Sequence, residues 1–159
     1  MKTKHLAFKM EYPGIAKALI TQVQISVAGS TTMMNSTSFL DVYALWDTGA
    51  TNSVIIPELA RHLGLKPISK TIVRGVNSEE EANVYLVDLI LPNKVLFKDV
   101  LITESAFVGA DILIGMNIIQ MGDFAISNAK GKTRFSFCIP PHDNPICLYE
   151  KSEKVNKRK

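Results

Sequence analysis

The chain has 159 residues, of which 47% are hydrophobic and 21% charged. That is enough chain for one domain with a real core, and it excludes the composition of a disordered protein. The formal charge of +3 is concentrated at the end: residues 150–159 hold five Lys/Arg and two Glu, and the body is balanced. This reads as a short solvated basic tail and not as a nucleic-acid surface, with a weak polyanion or membrane-surface contact as the alternative. No apolar run reaches the length of a membrane span, and the basic start lacks the apolar stretch of a secretory signal.

In chain order, residues 6–8 are a short strand candidate closed by the turn residues Tyr12-Pro13-Gly14. Over residues 15–28, Val23, Ile25 and Val27 alternate with Gln22, Gln24 and Ser26, the period of a half-buried strand. The Ser/Thr-rich stretch 29–38 reads as a hairpin loop in which Met33 and Met34 can cover apolar surface. Residues 39–46 return as an apolar strand broken only by Asp41, and deliver Asp47 at its end. Residues 53–56 form a short strand. Residues 57–63 then form a helix with Pro57 in its first turn and Gly64 as C-terminal cap, leaving His62 on the exposed side.

Residues 68–74 and 82–91 pair as a hairpin around a turn at 75–80. Glu79, Glu80 and Glu81 near its tip either form a solvated edge that resists pairing or favour basic residues in a bound peptide. Strands follow at 95–103 and 111–114, then a short helix at 116–121. Residues 124–127 and 133–139 flank Asn128-Ala129-Lys130-Gly131 as a second hairpin, with Phe135, Phe137 and Ile139 on one face. Pro140-Pro141 ends the last strand, and 146–159 reads as a basic disordered tail beyond a domain spanning 1–145.

Cys138 and Cys147 are too few for a disulfide framework, although a bridge between them is possible; two such thiols suit a reducing, cytoplasmic setting. His5, His62 and His142 are scattered and no Cys-x-x-Cys pair occurs, so the sequence suggests no metal site and no cofactor.

The chemistry centres on Leu45-Trp46-Asp47-Thr48-Gly49-Ala50, where an apolar strand hands one carboxylate to small residues that leave it uncovered. A buried-looking acid is costly unless hydrogen-bonded, shared or functional. About 60 residues on, Ile112-Leu113-Ile114-Gly115-Met116-Asn117 repeats the pattern of apolar strand, glycine and short helix. Together these stretches resemble the retropepsin-like family of single-lobe, retroviral-type aspartic proteases, over roughly residues 18–140, and the likeness leans toward bacterial or phage-borne members.

The resemblance implies an all-β fold: a single-lobe acid-protease barrel with a flap hairpin and one or two short helices. It implies an aspartic endopeptidase built as a homodimer, acting on peptide or protein substrates, without cofactor, metal, nucleic acid or membrane. Asp47, Thr48 and Gly49 would be the catalytic triplet. Ala50, the flap residues Val73, Arg74, Gly75 and Val76, and Leu113, Ile114 and Gly115 would line the substrate cleft. Family members pair terminal strands, which places residues 133–139 at the dimer interface.

Two departures stand out. Many viral members carry an Asp two residues after the Asp-Thr-Gly glycine and an Arg after the later glycine, which pair; here these positions are Thr51 and Met116. Loss of both partners strands no buried charge, so it bears on dimer anchoring and not on the fold. The alternatives to an active dimer are a dormant relative that binds peptides or dimerises, and a protease that acts only after processing or in another protein's company.

Overall fold

Alternation sets the first barrel strands. In β2 (Ile20–Val27), Thr21, Val23 and Ile25 point inward, and in β3 (Leu40–Trp46) Val42, Ala44 and Trp46 do the same. The computed structural model describes residues 4–29, 39–74 and 79–157; the expected loop over 30–38, with Met33 and Met34, and the flap tip with Gly75 and Val76 lie outside them. The first strand is β1 (Leu6–Glu11), longer than its sequence signal. After β3 come β4 (Ser53–Ile55), helix α1 (Pro57–His62), β5 (Ser69–Arg74), β6 (Glu79–Ile90), β7 (Leu96–Glu104) and β8 (Ile112–Ile114). Helix α2 (Met116–Ile119), β9 (Asp123–Ser127), β10 (Arg134–Ile139) and helix α3 (Leu148–Asn156) complete the order. Gly64, at φ +64, follows α1 and its N–H bonds the Arg61 carbonyl, the cap expected there.

Strands β2-β3-β8-β4-β7-β6 form a sheet that closes on itself, because β2 also pairs with β6. Closure removes the sheet edges, and β5 hangs from the free half of β6 as the flap hairpin, in register from Ser69↔Val84 to Arg74↔Glu79. The register of β6 with β7 shifts where Val87 pairs Val100 and Leu89 pairs Phe97, so that β7 carries the extra residue. There the buried Asp88 takes the N–H of Asp99, which adopts φ 54. An extra residue at such a bulge bends and twists the strand that carries it, here β7. The interior is filled by Ile25, Ile55, Val87, Leu89, Ile102 and Ile112, all fully buried.

A second, three-stranded sheet has the order β1-β10-β9. Trp46 joins the two sheets. Its ring packs 5.1 Å from Phe135 and 5.0 Å from Phe137 between centroids, and its Nε1 donates to the buried Thr21 hydroxyl at 2.9 Å.

Two expectations change. Strand β10 is the middle strand, with Phe137 paired to Phe8 on one side and Phe124 on the other. Both of its edges are hydrogen-bonded within the chain, so it has none left for a second copy. The other change is at the C-terminus, where α3 forms within the segment read as a disordered tail. It is capped by Cys147 Sγ, which accepts from the Glu150 N–H, carries a Glu153–Lys157 pair at 3.3 Å one turn apart, and buries none of its residues.

Candidate active site

Asp47 follows β3 directly, and the strand's pairing decides where its carboxylate points. The parallel register of β3 with β8 ends at Trp46↔Ile114, and one bond further the Asp47 N–H donates to the Ile114 carbonyl at 3.0 Å. The chain then turns back: Ala50 N–H reaches the Asp47 carbonyl, and Asp47 Oδ1 accepts the Gly49 N–H at 2.8 Å. A backbone donor at this distance fixes the rotamer of the carboxylate. Thr48 and Gly49 are exposed and Asp47 is half-buried, so the acid stands at the surface of this chain.

The loop is clamped from beneath by the second glycine stretch. A Cβ on Gly115 would lie 2.6 Å from the carbonyl carbon and oxygen of Asn52 and 2.8 Å from the Ala50 oxygen, so only glycine allows this approach. Met116 and Asn117 at the start of α2 donate their N–H groups to the Ala50 and Thr51 carbonyls at 2.8 and 3.1 Å. Beside Thr51 and Met116 the loop is tied by a neutral network. Ser53 donates both its N–H and its hydroxyl to Asn117 Oδ1, and the Ser53 hydroxyl accepts the Gly115 N–H at 3.2 Å. Ser53 and Asn117 carry no mark in the sequence beyond being polar, and only their contact identifies them as loop supports.

Two openings flank the loop. One, of about 470 Å³, lies between the loop and the flap strand, with Gly49, Ala50 and Leu113 on one side and Thr71, Ile72 and Val73 on the other. The second, of about 500 Å³, reaches Asp47 itself beside residues 15–19 and Trp46. Ala50, Val73 and Leu113 line the first opening together, and Arg74 is the last residue of β5, paired in register with Glu79. Ile114 corrects the expectation. Its side chain is fully buried in the core, because neighbours on a strand face opposite ways, and it serves the loop only through its carbonyl. Gly115 is buried too and acts as the clamp rather than as a wall.

Neither Asp111 nor Asp41 supplies a second carboxylate to this loop. Asp111 Oδ2 accepts the Tyr43 N–H at 2.7 Å, bracing β3 before β8, and Asp41 accepts from Gln24 on the exposed face of β2 and β3.

Fold and loop together define the single-lobe acid-protease fold of the retropepsin-like class. The chain belongs to the aspartyl protease family, whose model matches residues 23–118. Among solved structures it is similar to a retropepsin-like aspartic protease from Rickettsia conorii, at 14% identity and TM-score 0.52, covering 87% of this chain and 97% of that one. It also matches EIAV protease, solved with an inhibitor (23% identity, TM-score 0.46, 69% of this chain and 90% of that one). A third match is the retroviral protease-like domain of Ddi1 from Leishmania major (16%, TM-score 0.42, 75% and 95%). No curated protein matches the sequence.

Proposed function

We propose that the protein is an aspartic endopeptidase that hydrolyses peptide bonds with a water held between two Asp47 carboxylates, one from each copy of a homodimer. The observation that carries this reading is the Asp47 loop: one half-buried carboxylate at the surface, fixed by Gly49 N–H, beside a cleft flanked by the flap strand. Two carboxylates face to face cannot both ionise, so they share one proton. The ionised member removes a proton from the water as the water attacks the carbonyl carbon, and the protonated member donates to the carbonyl oxygen. A tetrahedral diol results, and its collapse protonates the leaving amine. A twofold axis beside Asp47 supplies the second acid from an identical surface.

In this arrangement the exposed Thr48 hydroxyl bonds across the axis and stiffens the pair. Gly49 orients the carboxylate, Ala50 and Leu113 floor the cleft, and Val73, Arg74, Gly75 and Val76 belong to the flap that closes over substrate and excludes water. The copies meet through the Asp47 face and not by exchange of β10, whose edges are filled.

That filled sheet also favours a second reading, a dormant peptide-binding module, because it removes one means of holding two copies together. Sedimentation over a concentration series, with peptide cleavage assayed on the same samples, separates the two. Cleavage that rises with the dimer fraction, is greatest below neutral pH, is blocked by a statine-type transition-state mimic and falls about 10²–10⁴-fold in Asp47→Asn supports the enzyme. A monomer without cleavage supports the module, and full activity in Asp47→Ala sinks the mechanism.

A further inference from the structure

At one end of the three-stranded sheet, three side chains that the aspartic site does not use converge. His5 immediately precedes β1, Cys138 lies in β10 opposite Ala7 and Asp123, and His142 follows β10. One ring nitrogen from each histidine and the Cys138 sulfur all lie within 4.8 Å of one another. The two rings are stacked at 4.4 Å between centroids with only 4° between their planes.

Their hydrogen bonds set the tautomers. His5 Nδ1 is 3.0 Å from the Pro140 carbonyl, and His142 Nδ1 is 2.8 Å from Asp123 Oδ2. A carbonyl and a carboxylate only accept, so each Nδ1 donates in these contacts and Nε2 is the nitrogen left for a ligand role. Asp123 also accepts the His142 backbone N–H at 2.9 Å, which pins the residue as well as its ring. A carboxylate or carbonyl behind a histidine's second nitrogen is the usual support of a metal-binding imidazole. Cys138 is 7% exposed, at the inner end of the cluster, while both histidines are exposed and open to an arriving ion.

We propose that His5, Cys138 and His142 bind one Zn²⁺ ion, with Asp123 orienting His142, and that the ion clips β1, β9 and β10 together at this end. Two imidazoles and a thiolate form a borderline-soft donor set that suits zinc, leaving the fourth tetrahedral position for water. Zn–N near 2.0–2.1 Å and Zn–S near 2.3 Å hold ligand atoms roughly 3.3–3.6 Å apart, so the cluster contracts by about 1 Å on binding. Parallel rings cannot both aim at one ion in their own planes, so the rings tilt apart as it enters. Their exposure permits that. The Cys138 sulfhydryl proton leaves to solvent as the thiolate ligates.

The test uses the full chain, reduced and stripped of metal. Calorimetric titration with Zn²⁺ is expected to show one ion per chain and a raised melting temperature, since the clip exists only in the folded state. Co²⁺ in its place should give a thiolate-to-cobalt charge-transfer band that disappears in Cys138→Ser and survives in Cys147→Ser. His5→Gln, at an exposed position that leaves the core intact, should abolish tight binding, and Asp123→Asn should weaken it roughly 10–100-fold. Absence of stoichiometric Zn²⁺ binding by the folded chain overturns the proposal. So does binding that His5→Gln and Cys138→Ser leave unchanged.

Discussion

Asp47 owes its position to residues that carry no charge. Gly115 is the tightest of these contacts, with the Asn52 backbone where a side chain would begin. Backbone cannot rotate aside as a flexible side chain can, so Gly115→Ala must move the loop away from α2. We expect this substitution to destabilise the chain by about 1–3 kcal/mol, the range of an overpacked core site. It should also lower peptide cleavage by more than stability explains, because Asp47 Oδ1 would lose its alignment with Gly49 N–H. Urea unfolding and turnover of the same variant, at a temperature where it remains folded, check both parts. Ser53 and Asn117 act at the same scale, as a neutral hydrogen-bonded pair that ties the loop to α2.

The elements explain how the flap is carried. Strand β6 is twelve residues long, and half of it serves the barrel while the other half supports β5. Near the changeover the Tyr85 hydroxyl donates to Glu104 at the end of β7, and Asn83 donates to both. Burial, and then the hydrogen bond to the Glu104 carboxylate, raise the Tyr85 phenol above its ordinary value near 10. A raised phenol favours the protonated form in the folded state. Its contribution is therefore complete below the unfolded value and is lost as pH rises through the folded one. Tyr85→Phe should thus be less stable than the parent near neutrality, and the gap should close at strongly alkaline pH. Urea unfolding of both proteins across that range tests this, and a gap constant with pH would refute it. Helix α3 had local signals too, with Glu150 in its first turn and Glu153 four residues before Lys157. The nearby prolines and the run of charge hid them in the sequence.

For the whole molecule, the order β1-β10-β9 separates folding from assembly. Each chain completes both of its sheets alone, and Trp46 with Phe8, Phe124, Phe135 and Phe137 seals the junction between them. The melting temperature should therefore change little with protein concentration, while specific activity rises with it until the dimer is saturated. Calorimetry and cleavage measured over the same dilution series decide this; a melting temperature that climbs steeply with concentration would mean that the fold itself depends on a partner.

What the sequence determined by itself is local. Alternation marked β2 and β3, Pro57 and Gly64 bracketed α1, and two glycine stretches about 60 residues apart marked the Asp47 loop and the strand–glycine–helix segment of β8 and α2, because period and turn chemistry act over a few residues. The tertiary structure alone decided what depends on the neighbour order of strands. It put β10 between β1 and β9, turned Ile114 into the core, joined Ser53 to Asn117 and brought His5 to the Pro140 carbonyl across 135 positions of chain. A strand's hydrophobic period fixes which face is buried and says nothing about which strand lies beside it. Contacts across sheets therefore appear only when the barrel is closed and the second sheet is laid against it.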